Sequence, residues 1–253
     1  MCFELDSTPP ITPIAGAAVN HRDLELTAAD GTAFAAFEAT GDDPTGAAVV
    51  ILPDVRGLYR FYEELALRFA ERGHDAVAID YFGRSAGVGK RDDEFPFRDH
   101  VAQTTQEGVR QDTAAAIAHL RAADPERPVF VMGFCFGGSN AWHQAANGHG
   151  IAGAIGFYGN PTRENVPQGA PSVISRAKEI ECPVLGLMGG DDQGIPQEAV
   201  DELEAAWKEA GVNHEIVVYP GAPHSFFDRR YEDFAKESED AWQRVLAFME
   251  ARS

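Results

Sequence analysis

Short runs of consecutive apolar residues alternate along this chain with longer stretches whose apolar positions recur every three to four residues. The runs Ala47–Leu52, Ala76–Ile79, Val129–Met132, Ile151–Phe157, Pro183–Met188 and Glu215–Tyr219 predict strands, the most apolar of them buried on both faces. Between them, Arg60–Arg72 gathers Leu65, Ala66, Phe69 and Ala70 on one helical face and stops at Gly73. Val101–Ala122, Ser139–Asn147, Pro196–Ala210 and Tyr231–Ala251 are the other predicted helices. Upstream, Asp23–Thr27 and Thr32–Phe37 flank Ala29, Asp30 and Gly31, the signature of an antiparallel hairpin. Gly41–Gly46 reads as a polar turn, and residues 1–20 as a surface arm rich in Pro, Thr and Ala.

Strands alternating with helices predict an α/β fold, a mostly parallel central sheet with helices on both faces. No repeat and no boundary divides the chain, so residues 1–253 are expected to form a single domain. Residues 81–100 have no period and mix Gly83, Gly87, Gly89 and Pro96 with charges. A stretch of this kind is expected to form a loop or lid over a pocket, with Arg84 pointing inward.

Composition narrows the functional classes. Of 253 residues, 44% are hydrophobic and 24% charged, ordinary for a folded domain. A net charge of −19 argues against nucleic acid or an anionic membrane as partner and leaves a small molecule. Cys2, Cys135 and Cys182 form no paired spacing, which points to a reducing, cytoplasmic setting without disulfides. Cys2 and Cys182 read as structural or incidental. The N-terminus shows no secretory pattern, and no apolar run approaches a membrane span. No metal-ligand spacing is present, no Gly-Lys-Ser/Thr follows the glycines at 133–138, and no cofactor is expected. The assembly is expected to be a monomer or a small homo-oligomer.

Chemistry concentrates at Gly133-Phe-Cys-Phe-Gly-Gly138, between a predicted strand and a predicted helix. Strand, sharp turn and helix form the context of a nucleophile elbow, here with Cys135 at the nucleophile position. A side chain at Gly133 or Gly137 would collide with neighbouring backbone in so tight a turn. The helix behind Cys135 offers unpaired N–H groups and a positive dipole end, favouring a thiolate and an oxyanion. Two later strands also end in reactive groups. Asp192 follows the strand ending at Met188 and lies four residues before Pro196, which favours it over Asp191. His224 follows the strand ending at Tyr219. Nucleophile, acid and base after successive strands predict that His224 takes the thiol proton while Asp192 orients the imidazole. The oxyanion donors are expected to be the N–H of Phe136 and that of Val55, in the loop after Leu52.

These segments, from about Ala47 to Met249, resemble the dienelactone hydrolase (carboxymethylenebutenolidase) family of the α/β-hydrolase superfamily. The resemblance is carried by Gly133–Gly138, by Met188-Gly-Gly-Asp-Asp192 through Pro196, by Gly221-Ala-Pro-His-Ser-Phe226 and by Asp80-Tyr-Phe-Gly-Arg84. It implies hydrolysis of an ester or enol-lactone, of the kind met in aromatic-ring degradation, through a cysteine acyl-enzyme with Cys135, Asp192 and His224 as triad. The other readings are an esterase or lactonase of different specificity, or a low-turnover ligand-binding or redox-sensing protein on the same fold. The resemblance implies that Asp54 stands where the family has a glutamate contacting the thiol, and that Arg84 is one of two arginines gripping a substrate carboxylate. The second of those positions holds Asp228, followed by Arg229. Asp228 is therefore expected to repel an anionic substrate unless Arg229 turns in, with Arg56 adding positive charge at the same strand ends.

Overall fold

The computed structural model describes residues 7–42, 46–92 and 94–252. Eight strands form one sheet in the order β1-β2-β4-β3-β5-β6-β7-β8. They are β1 (Val19–Thr27), β2 (Ala33–Gly41), β3 (Ala48–Leu52), β4 (Ala76–Ile79), β5 (Val129–Phe134), β6 (Gly153–Phe157), β7 (Val184–Gly189) and β8 (His214–Tyr219). The β1–β2 hairpin and the β2–β4 pair are antiparallel, and every later pairing is parallel. β3 through β7 are buried along their whole length, as their continuous apolar runs require. The architecture is the predicted α/β one.

Among the described residues seven α-helices accompany the strands, the last following β8: α1 (Arg60–Ala70), α2 (Gly83–Ala86), α3 (Phe97–Val101), α4 (Gln106–Leu120), α5 (Phe136–Gln144), α6 (Gln197–Ala210) and α7 (Ala235–Glu250). Two glycines of β6 record how closely helices approach the sheet. A Cβ on Gly153 would lie 2.7 Å from the Phe248 ring of α7, and one on Gly156 would lie 2.4 Å from the Trp142 ring of α5. Positions 153 and 156 point to opposite faces of a strand, so α7 and α5 cover opposite sides of the sheet. Trp142 meets Trp207 of α6 edge to face, and Trp242 of α7 meets Phe69 of α1, which extends each layer.

Several boundaries differ from expectation for local reasons. The long helix predicted from Val101 starts at Gln106, because the Thr105 side chain caps it by accepting the Gly108 N–H at 3.0 Å. Segment 81–100 carries the two short helices α2 and α3. The helix predicted at Ser139 begins at Phe136, directly behind Cys135. The last helix starts at Ala235 rather than Tyr231, since residues 225–234 fold as consecutive turns. A 3₁₀ helix at Ile174–Glu179 has no counterpart in the sequence reading. β1 starts at Val19, so the arm ends two residues earlier than expected, and Ile11 within it is buried. Residues 1–6, with Cys2, and residues 43–45 of the polar turn lie outside the described residues. No helix among the described residues is long and apolar enough to cross a membrane.

Candidate active site

The loops after β3, β5, β6, β7 and β8 all leave the carboxyl edge of the sheet, where an open parallel sheet presents its ligands. Cys135 sits between β5 and α5 with φ 54° and ψ −111°, outside the regions a non-glycine residue ordinarily occupies. The structure over-determines this strained turn. Its N–H donates to the Phe157 carbonyl of β6 at 3.0 Å. A Cβ on Gly133 would lie 2.0 Å from the Gly137 oxygen, and one on Gly137 would lie 2.1 Å from the Leu52 oxygen. The second approach presses the elbow against the end of β3, bringing the loop that begins at Pro53 alongside it. Phe136 is the first residue of α5, so its N–H belongs to the helix's unpaired first turn.

The loops after β7 and β8 are stitched together by backbone. Gly190 N–H donates to Tyr219 O at 2.8 Å, and Asp191 N–H to Ala222 O at 2.9 Å. This sets Asp192 beside His224, whose Nδ1 lies 2.6 Å from Asp192 Oδ2. The other carboxylate oxygen of Asp192 accepts the Gly194 N–H at 2.8 Å, which fixes the group's orientation. Asp192 is buried, whereas Asp191 is exposed and bonded to Gln193. The sequence preference for Asp192 thus acquires a geometric basis.

A cavity of about 380 Å³ opens over these groups, lined by Cys135, Asp192 and His224 together with Phe136, Ser139 and Tyr158. Arg163, Arg229 and Arg230 line it as well, together with exposed Asp191, and Arg230 is paired with Asp233 at 2.9 Å, which leaves Arg163 and Arg229 as the main positive groups at the cavity of a strongly acidic chain. Arg229, one of the substrate-contact candidates of the sequence reading, is thus among the lining residues. Asp54 and Arg56 lie buried under the carboxyl edge and outside the cavity lining. The Asp54 N–H donates to Tyr62 Oη at 2.9 Å, its Oδ1 accepts the Arg56 N–H at 2.8 Å, and the Arg56 guanidinium stands 4.9 Å from the Tyr59 ring centre. Val55 is half-buried against the core and does not line the cavity.

Three expectations need correction. Arg84 does not point into the cavity; its guanidinium is taken by buried Asp112, at 2.6 and 2.7 Å, and by Asp30 at 3.0 Å. Two carboxylates outcompete a solvent-filled pocket for that charge. No described residue of 81–100 lines the cavity. The segment is instead tied down by Arg91, which donates to buried Asp80 at 2.8 Å and lies over the Phe95 ring. Nor does Asp228 face a substrate. It is buried, accepting the Tyr158 hydroxyl at 2.5 Å and the Arg229 N–H, and burial pushes its carboxyl up to about 8. At neutral pH it is mostly protonated and repels no anion.

The sequence reading missed Tyr158, Ser139, Arg163 and Arg230. One signal was available for Tyr158: it directly follows a parallel strand, the position used to find Asp192 and His224. Arg163 and Arg230 lie several residues from any strand end and carry no local signal. Among the described residues, no three His, Cys, Asp or Glu side chains group as metal ligands.

Comparison with known proteins bears on this site. The sequence profile of the dienelactone hydrolase family matches residues 34–253. A carboxymethylenebutenolidase from Rhodococcus opacus is 33% identical over 99% of this chain and 96% of its own. A protein of Escherichia coli strain K12, provisionally assigned the same activity, is 30% identical over 78% of this chain and 74% of its own. Among solved structures, a Klebsiella pneumoniae chain provisionally assigned as a dienelactone hydrolase superposes with a TM-score of 0.80. It is 26% identical and covers 92% of this chain and 98% of its own.

Proposed function

The chain belongs to the dienelactone hydrolase family and is a hydrolase of ester or enol-lactone bonds; from that premise we propose that Cys135, His224 and Asp192 are its nucleophile, base and acid. The observation that carries the reading is the 2.6 Å His224–Asp192 contact lining the same cavity as Cys135 on its strained elbow. With Nδ1 engaged by Asp192, Nε2 is the ring nitrogen that exchanges protons with the nucleophile in this reading.

In the proposed cycle, Cys135 Sγ attacks the carbonyl carbon of the ester or lactone as its proton passes to His224 Nε2. The resulting oxyanion is held by the Phe136 N–H and the dipole of α5, with the Val55 N–H as the second donor. The carbon–oxygen bond then breaks, and the imidazolium returns the proton to the departing oxygen. For a lactone this oxygen stays tethered to the acyl chain. Water, deprotonated by His224, attacks the Cys135 thioester, and collapse of the second tetrahedral species releases a carboxylic acid and the thiol. Arg163 and Arg229 at the rim suit a substrate bearing its own carboxylate.

Rapid-mix kinetics with an activated aryl ester test the scheme. A stoichiometric burst of alcohol followed by slower turnover is expected, together with an acyl adduct on Cys135 by mass spectrometry. Cys135→Ala is expected to lose at least about 10³-fold in kcat. Wild-type turnover in that variant would remove Cys135 from the mechanism, and binding without turnover by the native chain would favour the ligand-binding reading.

A further inference from the structure

Tyr158 carries a combination the scheme above leaves unused. It is a fully buried aromatic directly after β6, yet its φ is 36°, a left-handed value rare for so bulky a residue. The side chain, rather than the backbone, must be what the site requires there. Its ring lies 4.8 Å from the His224 ring, and its hydroxyl donates to Asp228, four residues beyond His224. One side chain therefore touches both ends of the turn that presents the histidine. That turn is itself strained: Ser225, next to His224, has φ 65°. The Phe226 and Phe227 side chains are buried behind it, and the Arg230 N–H closes it onto Ser225 O at 3.2 Å.

We propose that Tyr158 is a positioning residue for the histidine, stapling the His224–Asp228 turn to β6 so that the imidazole holds its angle between Asp192 and Cys135. The proposal rests on the reading of His224 as base. The ring, 4.8 Å from the imidazole, limits its tilt. The hydroxyl, anchored on a carboxyl that cannot reach water, prevents the turn from peeling off the sheet. A tyrosine is suited to this work because a phenyl ring alone would leave the turn held at one end only.

The groups facing the anchor Asp228 are the Tyr158 hydroxyl, the Arg229 N–H, Asp54 from the loop after β3, and His224. Burial and Asp54 favour its neutral form, while Tyr158, the Arg229 N–H and His224 favour its anion.

Three variants test the staple: Tyr158→Phe, Asp228→Asn and His224→Ala, with the first also built on the last. Tyr158→Phe is expected to lower kcat about tenfold while KM for a neutral aryl ester changes less than about threefold, since binding precedes the proton transfers. On His224→Ala it is expected to add less than about a twofold loss, because a residue acting through the imidazole has nothing left to position. Asp228→Asn keeps the acceptor for Tyr158 and cannot titrate. It is expected to retain most of kcat, since the turn stays held at both ends. Wild-type kcat in Tyr158→Phe, or an equal loss with and without His224, would overturn the staple. Should Tyr158→Phe not fold, Asp228→Ala at wild-type kcat would overturn the staple. Wild-type turnover in His224→Ala would instead overturn the assignment of the base.

Discussion

His224 Nδ1 and Asp192 Oδ2 lie 2.6 Å apart although 32 residues separate them, and the second oxygen of that carboxylate is fixed by the Gly194 N–H. The pair is rigid because both residues sit on loops bonded to each other at Gly190–Tyr219 and Asp191–Ala222. Asp192→Asn keeps this shape and exchanges an acceptor for an amide, presenting the wrong partner to the imidazole. The expected outcome is a loss on the order of 10³–10⁴ in kcat with an unchanged circular dichroism spectrum, measured on an activated ester. Asp191→Asn, a step away and exposed, is expected to behave as wild type.

Gly137 cannot accept a methyl group, since a Cβ there would lie 2.1 Å from Leu52 O and 2.3 Å from Pro53 O, both backbone atoms with little room to move. Gly137→Ala is expected to cost about 1–3 kcal/mol in urea unfolding and to displace the elbow from the loop after β3. Activity should fall more steeply than stability, because the same shift separates the two oxyanion donors. A stable, fully active alanine variant would show that the approach is not needed.

Charge selection is expected to reside in Arg163 and Arg229. Replacing either by alanine should raise KM about tenfold or more for a lactone carrying a carboxylate, as loss of a charge-assisted contact does, and leave the neutral methyl ester within about twofold. Asp228→Arg should not improve the carboxylate substrate. It would bury a guanidinium where a neutral carboxyl meets Tyr158, and the expected result is a destabilised protein.

Arg84 separates structural from substrate-binding arginines. Its partner Asp112 is buried, with the guanidinium at 2.6 and 2.7 Å. Arg84→Ala leaves that carboxylate without its cation and should lower unfolding free energy by about 2–4 kcal/mol, less than for a fully buried pair because Arg84 is partly solvated. KM for the lactone carboxylate is expected to stay within about twofold of wild type in the folded variant. A tenfold rise would return Arg84 to the pocket.

Asp228 makes stability depend on pH in an unusual direction. Burial raises its folded-state pKa to about 8, well above the ordinary carboxylate value of 3.8. The folded chain thus holds a proton at this site that the unfolded chain releases above about pH 4. The contribution is fully present below that point and is lost as pH rises toward 8. Asp228→Asn removes the dependence. Relative to wild type it should gain stability progressively from pH 5 to pH 8.5, read as the difference in Tm; a constant difference across that range would mean that the carboxyl does not titrate there.

The apolar runs and helical periods made the strands, their order of types and most helices legible, because those patterns are imposed by burial on each element separately. Helix starts at 106, 136 and 235 were read less well. They are decided by a threonine cap, by the geometry behind Cys135 and by a chain of turns, none of which changes the hydrophobic period. Cys135, Asp192 and His224 could be picked out since each follows a parallel strand within a few residues, and parallel strands deliver their carboxyl ends to one edge.

What the sequence determined by itself was the succession of strands and helices, the elbow and the candidates for the reactive groups, all consequences of local pattern. What only the tertiary structure decided was the company each charge keeps. Arg84 turned to Asp112 and Asp30, Arg91 to Asp80, and Asp228 to Tyr158, while Arg163, Arg229 and Arg230 gathered at the cavity. The partners in the first three pairings are 11 to 70 residues apart. A charge is placed by whichever opposite charge or hydrogen-bond partner the fold brings near it in a low-dielectric surrounding, and that choice leaves no trace in the spacing of residues along the chain.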